Sequence, residues 1–377
     1  MMIDEREVLN MMTLARAGCF HLASMRMLID AAGSATNVIE NRNNIQDIVP
    51  ECNKRVVESL KGLDEARKRA ETELAYDSEN GIKPLCLTDD EYPQRLLQCD
   101  DAPLILFYKG TADLNQRHVI CMVGTRQCTV YGQDLVRRFM ADLRTVCPDV
   151  LVVSGLAYGI DINAHRQALE NGFETMAVLA HGLDYLYPPR HKETANQMME
   201  HGGLVTEYFT MTNADKQNFV RRNRIVAGMS DACIVVESAV KGGGLITARL
   251  ARDYNRDVFA FPGRADDNWS QGCNNLIRDN IASLISNADD FVKAMTWDGD
   301  TVLANHRSEG IQRQMFPQLS DDEKRIVDCL KKDNDLNINM LSVRANMPIN
   351  VLTATLFELE MKGVVKALGG GAYHLLD

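Results

Sequence analysis

An α/β fold is predicted for this chain, built on a parallel sheet covered on both faces, with a small helical module ahead of it and a winged helix behind it. Three observations predict it. Between about residues 82 and 260, short apolar runs ending in glycine or small residues alternate with helical stretches; the earlier residues have helical apolar spacing; and beyond residue 319 a capped helix opens a short helical series. At 377 residues the chain exceeds one ordinary domain, so two or three are expected.

Residues 1–76 form the helical module. Val8, Leu9, Met12 and Leu14 begin an apolar face that Leu22, Met25, Leu28 and Ile29 continue, and Ala31-Ala32-Gly33-Ser34 breaks it. The charged run from Asp64 to Glu73 suggests one further, solvent-facing helix, since opposite charges there meet at helical spacing.

Residues 77–300 form the sheet domain. Its strands are read from Leu104–Tyr108, Val119–Val123, Val150–Val153, Met176–Leu179, Cys233–Val236 and Val258–Ala260. Continuous apolar strands alternating with helices signify a parallel sheet buried on both faces, and such sheets bind ligands at the carboxyl ends of their strands. Residues 301–318 read as a polar linker. In residues 319–377, Ser320 caps a helix and Glu323 completes a capping box, with Ile326, Val327 and Leu330 as the apolar face. A second helix near Leu341 and a third at Val351–Lys362 lead to a hairpin, which describes a winged helix.

Composition narrows the function. Apolar residues make up 45% and charged residues 25%, an ordinary globular profile. The ten cysteines include no Cys-x-x-Cys, which argues against a zinc ribbon or disulfide framework. No basic, apolar leader precedes the helical module, and no run approaches the ~20 apolar residues that span a bilayer, so the cytoplasm is the expected compartment. The net charge of −11 taken alone argues against nucleic acid. Its distribution matters more. Between Asn213 and Arg264, nine Lys and Arg stand against five acids, a local excess of four positive charges.

Four strand-end loops carry the candidate chemistry. In the first, Gly124 lets backbone approach a ligand, Thr125 offers a hydroxyl and Arg126 a phosphate-matching fork. In the second, Ser154 and Gly155 open a helix whose N–H groups face an anion. Asp161 and His165, at i and i+4 on that helix, read as a hydrogen-bonded pair that fixes the loop. The third, Asn218–Gly228, sets Phe219 among Arg221, Arg222 and Arg224. Guanidinium groups suit phosphates and an aromatic face suits an unpaired base, so this combination leans towards single strands. The fourth, Lys241-Gly242-Gly243-Gly244, is a nest of exposed N–H groups that matches neither the dinucleotide nor the Walker pattern.

These loops resemble the DNA-processing protein A (Smf) family over about residues 100–290. The matching segments are Val123–Arg126, Ser154–Ala157 with Gly159–Asp161 and Ala164-His165, Gly182–Asp184 with Tyr187-Pro188, Thr206–Tyr208, Arg222–Gly228, Gly244–Ala248 and Phe261–Gly263. The resemblance implies an extended Rossmann-like domain that binds single-stranded DNA, forms homodimers and helps load the RecA recombinase during natural transformation. It implies no catalysis, cofactor or metal. Carried onto matching positions, the DNA contacts are Gly124, Thr125, Arg126, Ser154, Gly155, Lys216, Phe219, Arg222, Arg224, Lys241, Gly242 and Gly243. A sterile-alpha-motif-like module before the core and a winged helix after it also fit. The chain departs from the family at Tyr158, where arginine is usual, at Gly242-Gly243 and at Asp279-Asn280-Ile281. With ten acids and nine bases from Thr301 to Asp377, the winged helix shows no charge excess for DNA.

Two other classes compete. Rossmann-like hydrolases of nucleoside monophosphates share phosphate loops but place an acidic pair after the glycines, where this chain has Ala248-Arg249. A winged-helix transcription regulator would instead prefer a particular duplex sequence.

Overall fold

The computed structural model describes residues 4–17, 22–50, 52–297, 319–333, 336–362, 364–368 and 372–375. The chain divides into two compact units, residues 1–302 and 303–377. The expected linker, 301–318, lies outside the described residues.

The first unit opens with helices α1 (Glu5–Ala17), α2 (Leu22–Ala32), α3 (Ala35–Glu40), α4 (Ile45–Ile48), α5 (Lys54–Ser59) and α6 (Asp64–Asn80). Local chemistry sets several ends. Gly33 takes φ 82° after α2, and the Ser34 hydroxyl then accepts from Asn37 N to start α3. The expected boundary at 76/77 falls inside α6, which ends at Gly81 in the left-handed region.

The sheet follows. Its strands are β1 (Lys83–Cys86), β2 (Ile105–Gly110), β3 (Val119–Val123), β4 (Leu151–Ser154), β5 (Thr175–Val178), β6 (Gly202–Thr206), β7 (Ala232–Val235), β8 (Asp257–Ala260) and β9 (Ser283–Leu284). Between them lie α7 (Gln94–Leu97), α8 (Val130–Val146), α9 (Ile160–Glu170), α10 (Lys192–Glu200), α11 (Lys216–Gly228), α12 (Gly244–Asp253), α13 (Gln271–Arg278) and, last, α14 (Ala288–Ala294). The spatial order is β1-β2-β6-β5-β4-β3-β7-β8-β9. From β6 to β9 neighbours run parallel, while β2 pairs antiparallel with β6 and with β1. The chain winds outward from β3 to β6, then returns to place β7 on the other side of β3. Loops after β3 and β7 therefore part in opposite directions and leave a crevice, the usual ligand position in open α/β sheets.

Period-2 alternation shares the strands between two cores. Val119, Cys121 and Val123 face one apolar cluster, Ile120 and Met122 the other. The first cluster runs without a break into Met11, Leu14, Leu28 and Ile29, so the leading helices share one core with the sheet. A polar clasp reinforces the joint: Arg69 Nη2 donates to the Thr210 carbonyl at 2.8 Å and Glu73 Oε1 accepts from Thr210 N at 2.6 Å. One helical turn on, buried Asp77 has no hydrogen-bond partner for either oxygen; burial and the nearby Glu73 push its pKa up to about 8.

The second unit contains α15 (Asp321–Lys332), β10 (Leu336–Asn337), α16 (Ile338–Arg344), α17 (Ile349–Met361), β11 (Val365–Leu368) and β12 (Ala372–Leu375). The Ser320–Glu323 capping box forms as expected, and Ile326, Val327 and Leu330 enter a separate core with Leu352, Leu356 and Leu359. The three strands pair in the order β10-β12-β11, giving the winged helix.

Candidate nucleic-acid interface

The crevice beside β3 and β7 holds a cleft of about 580 Å³ lined by residues of all four predicted loops. Backbone contacts knit those loops together. Thr125 N donates to Glu237 O at 2.7 Å and Ile160 N donates to Thr125 O at 3.1 Å, joining the first loop to the fourth and the second. The buried Glu237 carboxylate accepts from Thr129 N at 2.9 Å and from the Thr129 hydroxyl at 2.6 Å, fixing the start of α8. Gly124 is demanded by crowding: a β-carbon there would meet Ile160 Cγ1 at 2.5 Å and Glu237 O at 2.7 Å.

Helix α11 supplies one wall. Asp215 caps it, its side chain accepting from Asn218 N. Lys216, Phe219, Asn223 and Val226 recur at helical spacing and all line the cleft. The Arg126 guanidinium sits 5.0 Å from the centre of the half-buried Phe219 ring, a cation–π arrangement. Arg126, Lys216 and Lys241 are exposed, and none makes an ion pair among the described residues. The rim is thus a ring of unneutralised cations around one aromatic face.

Ten of the twelve expected contacts, Gly124, Thr125, Arg126, Gly155, Lys216, Phe219, Arg222, Lys241, Gly242 and Gly243, line this one cleft. Ser154 and Arg224 do not. Ser154 is fully buried and donates its hydroxyl to Met122 O at 2.7 Å. Arg224 lies off the cleft-facing stripe of α11; it is buried, pairs with Glu207 and donates to Asp101 O at 2.7 Å. Its charge holds the core together and is not presented to a ligand.

Arg222 also differs from the free fork expected of it. Only 3% exposed, it donates to the carbonyls of Gly155 and Val178 at the ends of β4 and β5, leaving Nε without a partner. Burial lowers its pKa to about 10, partly offset by nearby Asp161. Gly155 leaves room for it: a β-carbon there would come within 2.4 Å of the guanidinium and displace it.

The predicted anion nests are partly filled by the protein itself. Burial raises the pKa of the Asp161 carboxylate on balance, although the nearby amides of Gly155 and Ala157 draw it down. The N–H of Gly242 donates to Ala239 O at 3.0 Å. The expected Asp161–His165 pair does not form. His165 is buried, and its Nδ1 meets Thr175 Oγ1 at 2.7 Å; because that hydroxyl donates to Val152 O, the imidazole is the donor. Burial lowers its pKa to about 3, so it is neutral. Asn223, Thr247 and Asp161 line the cleft without having been singled out as contacts. For Asn223 the signal was available, four residues after Phe219 on one helix face. Among the described residues no group of His, Cys, Asp and Glu is arranged to hold a metal ion.

Fold and site together define a class: a Rossmann-like α/β protein with a cationic, aromatic-bearing cleft at its topological switch point and a separate winged helix. Sequence comparison gives the family. Residues 83–296 match the family described as DNA recombination-mediator protein A, and residues 314–371 match the DprA winged helix domain. This chain belongs to the DprA/Smf family of DNA-processing recombination mediators. It is 39% identical to DNA processing protein DprA of Streptococcus pneumoniae over 55% of this chain and 72% of that one. With Protein Smf of Escherichia coli it shares 32% identity over 82% of each. The solved structure of the S. pneumoniae protein covers 78% of this chain and 98% of its own, with a TM-score of 0.63 and 32% identity. A Helicobacter pylori DNA processing protein A, described for its single-stranded DNA binding mode, covers 58% of this chain and 96% of its own, with a TM-score of 0.52 and 27% identity.

Proposed function

We propose that the switch-point cleft binds single-stranded DNA, with the rim cations on phosphates and Phe219 stacked on an unpaired base. The observation that carries this reading is Arg126 above Phe219 at the mouth of a cleft flanked by Lys216 and Lys241. A duplex offers phosphates to such a rim but hides its base faces, so single strands gain the stacking contribution of ~1–3 kcal/mol per base. The Helicobacter pylori relative described for its single-stranded DNA binding mode supports the same reading. The test is a gel shift of oligo-dT against duplex of equal length. Tighter binding of oligo-dT is expected; equal or reversed preference defeats the proposal.

Within the same proposal the chain acts without catalysis as a homodimer in the cytoplasm, shields incoming single strands and passes them to a RecA recombinase. Membership of a recombination-mediator family supports this reading. No described helix is long and apolar enough to cross a membrane. Faster RecA filament growth on oligo-dT in the presence of the protein is the expected result, and an unchanged rate counts against the loading role.

A further inference from the structure

We infer that the bound strand continues out of the cleft over Tyr187 and Tyr158, each ring receiving one further base. The inference rests on the single-strand reading of the cleft and names where that strand goes next. The Tyr187 ring centre lies 5.9 Å from that of Phe219, at an interplanar angle of 54°. At that tilt the two rings do not stack on each other, and Tyr187 remains 43% exposed. Tyr158, in the loop after β4, is also 43% exposed. Aromatic rings held in the open beside a cationic cleft are the platform that unpaired bases use.

Both tyrosines are anchored by buried imidazoles, Tyr187 through its backbone and Tyr158 through its ring, which distinguishes them from loose surface tyrosines. Tyr187 N donates to His181 Nε2 at 3.2 Å, and Nδ1 of the same ring donates to Gly182 O at 2.7 Å. His191 Nδ1 donates to Leu156 O at 2.9 Å, and the Tyr158 ring meets His191 edge-on, 4.9 Å between centres. A stacking surface fixed beforehand loses little freedom when a base arrives. The turn that follows Tyr187 adds charge: Arg190 and Lys192 are exposed, with no ion pair among the described residues. Aromatic faces interleaved with unneutralised cations suit a flexible sugar-phosphate chain with unpaired bases, and no residue of this segment belongs to the cleft lining.

The experiment is fluorescence anisotropy with end-labelled oligo-dT ranging from roughly 4 to roughly 16 nucleotides. The wild type is compared with Tyr187→Ala, Tyr158→Ala, the two Tyr→Phe variants and Phe219→Ala. Each Tyr→Ala change is expected to weaken the longer oligonucleotides about tenfold while leaving the shortest unchanged, and Tyr→Phe to retain wild-type affinity because the ring is kept. Unchanged affinity at every length, or an equal loss at every length, overturns the path. If Phe219→Ala weakens binding and the tyrosine variants do not, only this inference falls; if Phe219→Ala is also silent, the cleft reading falls with it. Should an alanine variant fail to fold, photocrosslinking of 5-iodouracil-substituted oligonucleotide to the wild type decides the matter. Adducts at Tyr187 or Tyr158 support the path, and adducts only elsewhere overturn it.

Discussion

Two arginines two positions apart on α11 do opposite work. Arg222 points to the cleft floor and closes the carbonyl ends of β4 and β5, whereas Arg224 is sealed against Glu207. Removing Arg224 strands a buried carboxylate, so Arg224→Ala is expected to destabilise the fold by ~3–5 kcal/mol, read as a lower midpoint in thermal or urea denaturation. Arg126→Ala should leave that midpoint in place and weaken oligo-dT binding about tenfold, by loss of a charge-assisted phosphate contact. If both variants lose stability equally, the division of labour is wrong. The arginine cluster is visible in the sequence, and helical spacing already separates the stripe of Lys216, Phe219 and Asn223 from Arg224. What sequence does not show is the partner: Glu207 follows β6 and Asp101 precedes β2, and only tertiary packing brings them to α11.

Among the elements, the glycine loops divide by the space around them. Gly124→Ala must push both Ile160 and the Glu237 carbonyl aside, while a methyl at Gly243 meets nothing within 4 Å. Circular dichroism melts should therefore show a clear loss for Gly124→Ala and almost none for Gly243→Ala. Helix α6 carries a different liability in Asp77. A carboxyl whose pKa rises to about 8 on folding keeps its proton while the unfolded chain loses its own, so stability falls as pH climbs from about 4 towards 8. Asp77→Asn removes that penalty, and its stabilising effect should grow over this range by up to ~1.4 kcal/mol per pH unit. A pH-independent gain would refute the assignment. Six of the nine strands of the sheet and the glycine turns were readable because buried parallel strands are continuous apolar runs; β1, β6 and β9, short or opening on glycines, were not. The Asp161–His165 pairing was misread, since i, i+4 spacing records adjacency on a helix and says nothing of Thr175 across the sheet.

At the scale of the molecule, a protein of net charge −11 sets three exposed cations without an ion pair, Arg126, Lys216 and Lys241, around one cleft. With Arg126, Lys216 and Lys241 as exposed phosphate partners, a log–log plot of affinity for oligo-dT against salt should have a slope of about −2, at ~0.7 per phosphate on single strands. A flat plot would mean the cations face elsewhere. The alternation of strands and helices foretold a two-sided sheet, but not the order β3-β7 at its centre, because pairing between strands more than a hundred residues apart leaves no local trace. The helices before the sheet were legible as helices, yet their merger with its core was not, since a helix face does not name what it will cover. The Asp161 carboxylate, buried near the amides of Gly155 and Ala157 in the cleft lining, has a consequence for selection. A single phosphate meets that carboxylate and is left with the rim charges alone. A long polyanion bound as proposed would span several of them at once, so such a cleft would reward length over affinity for any single monomer.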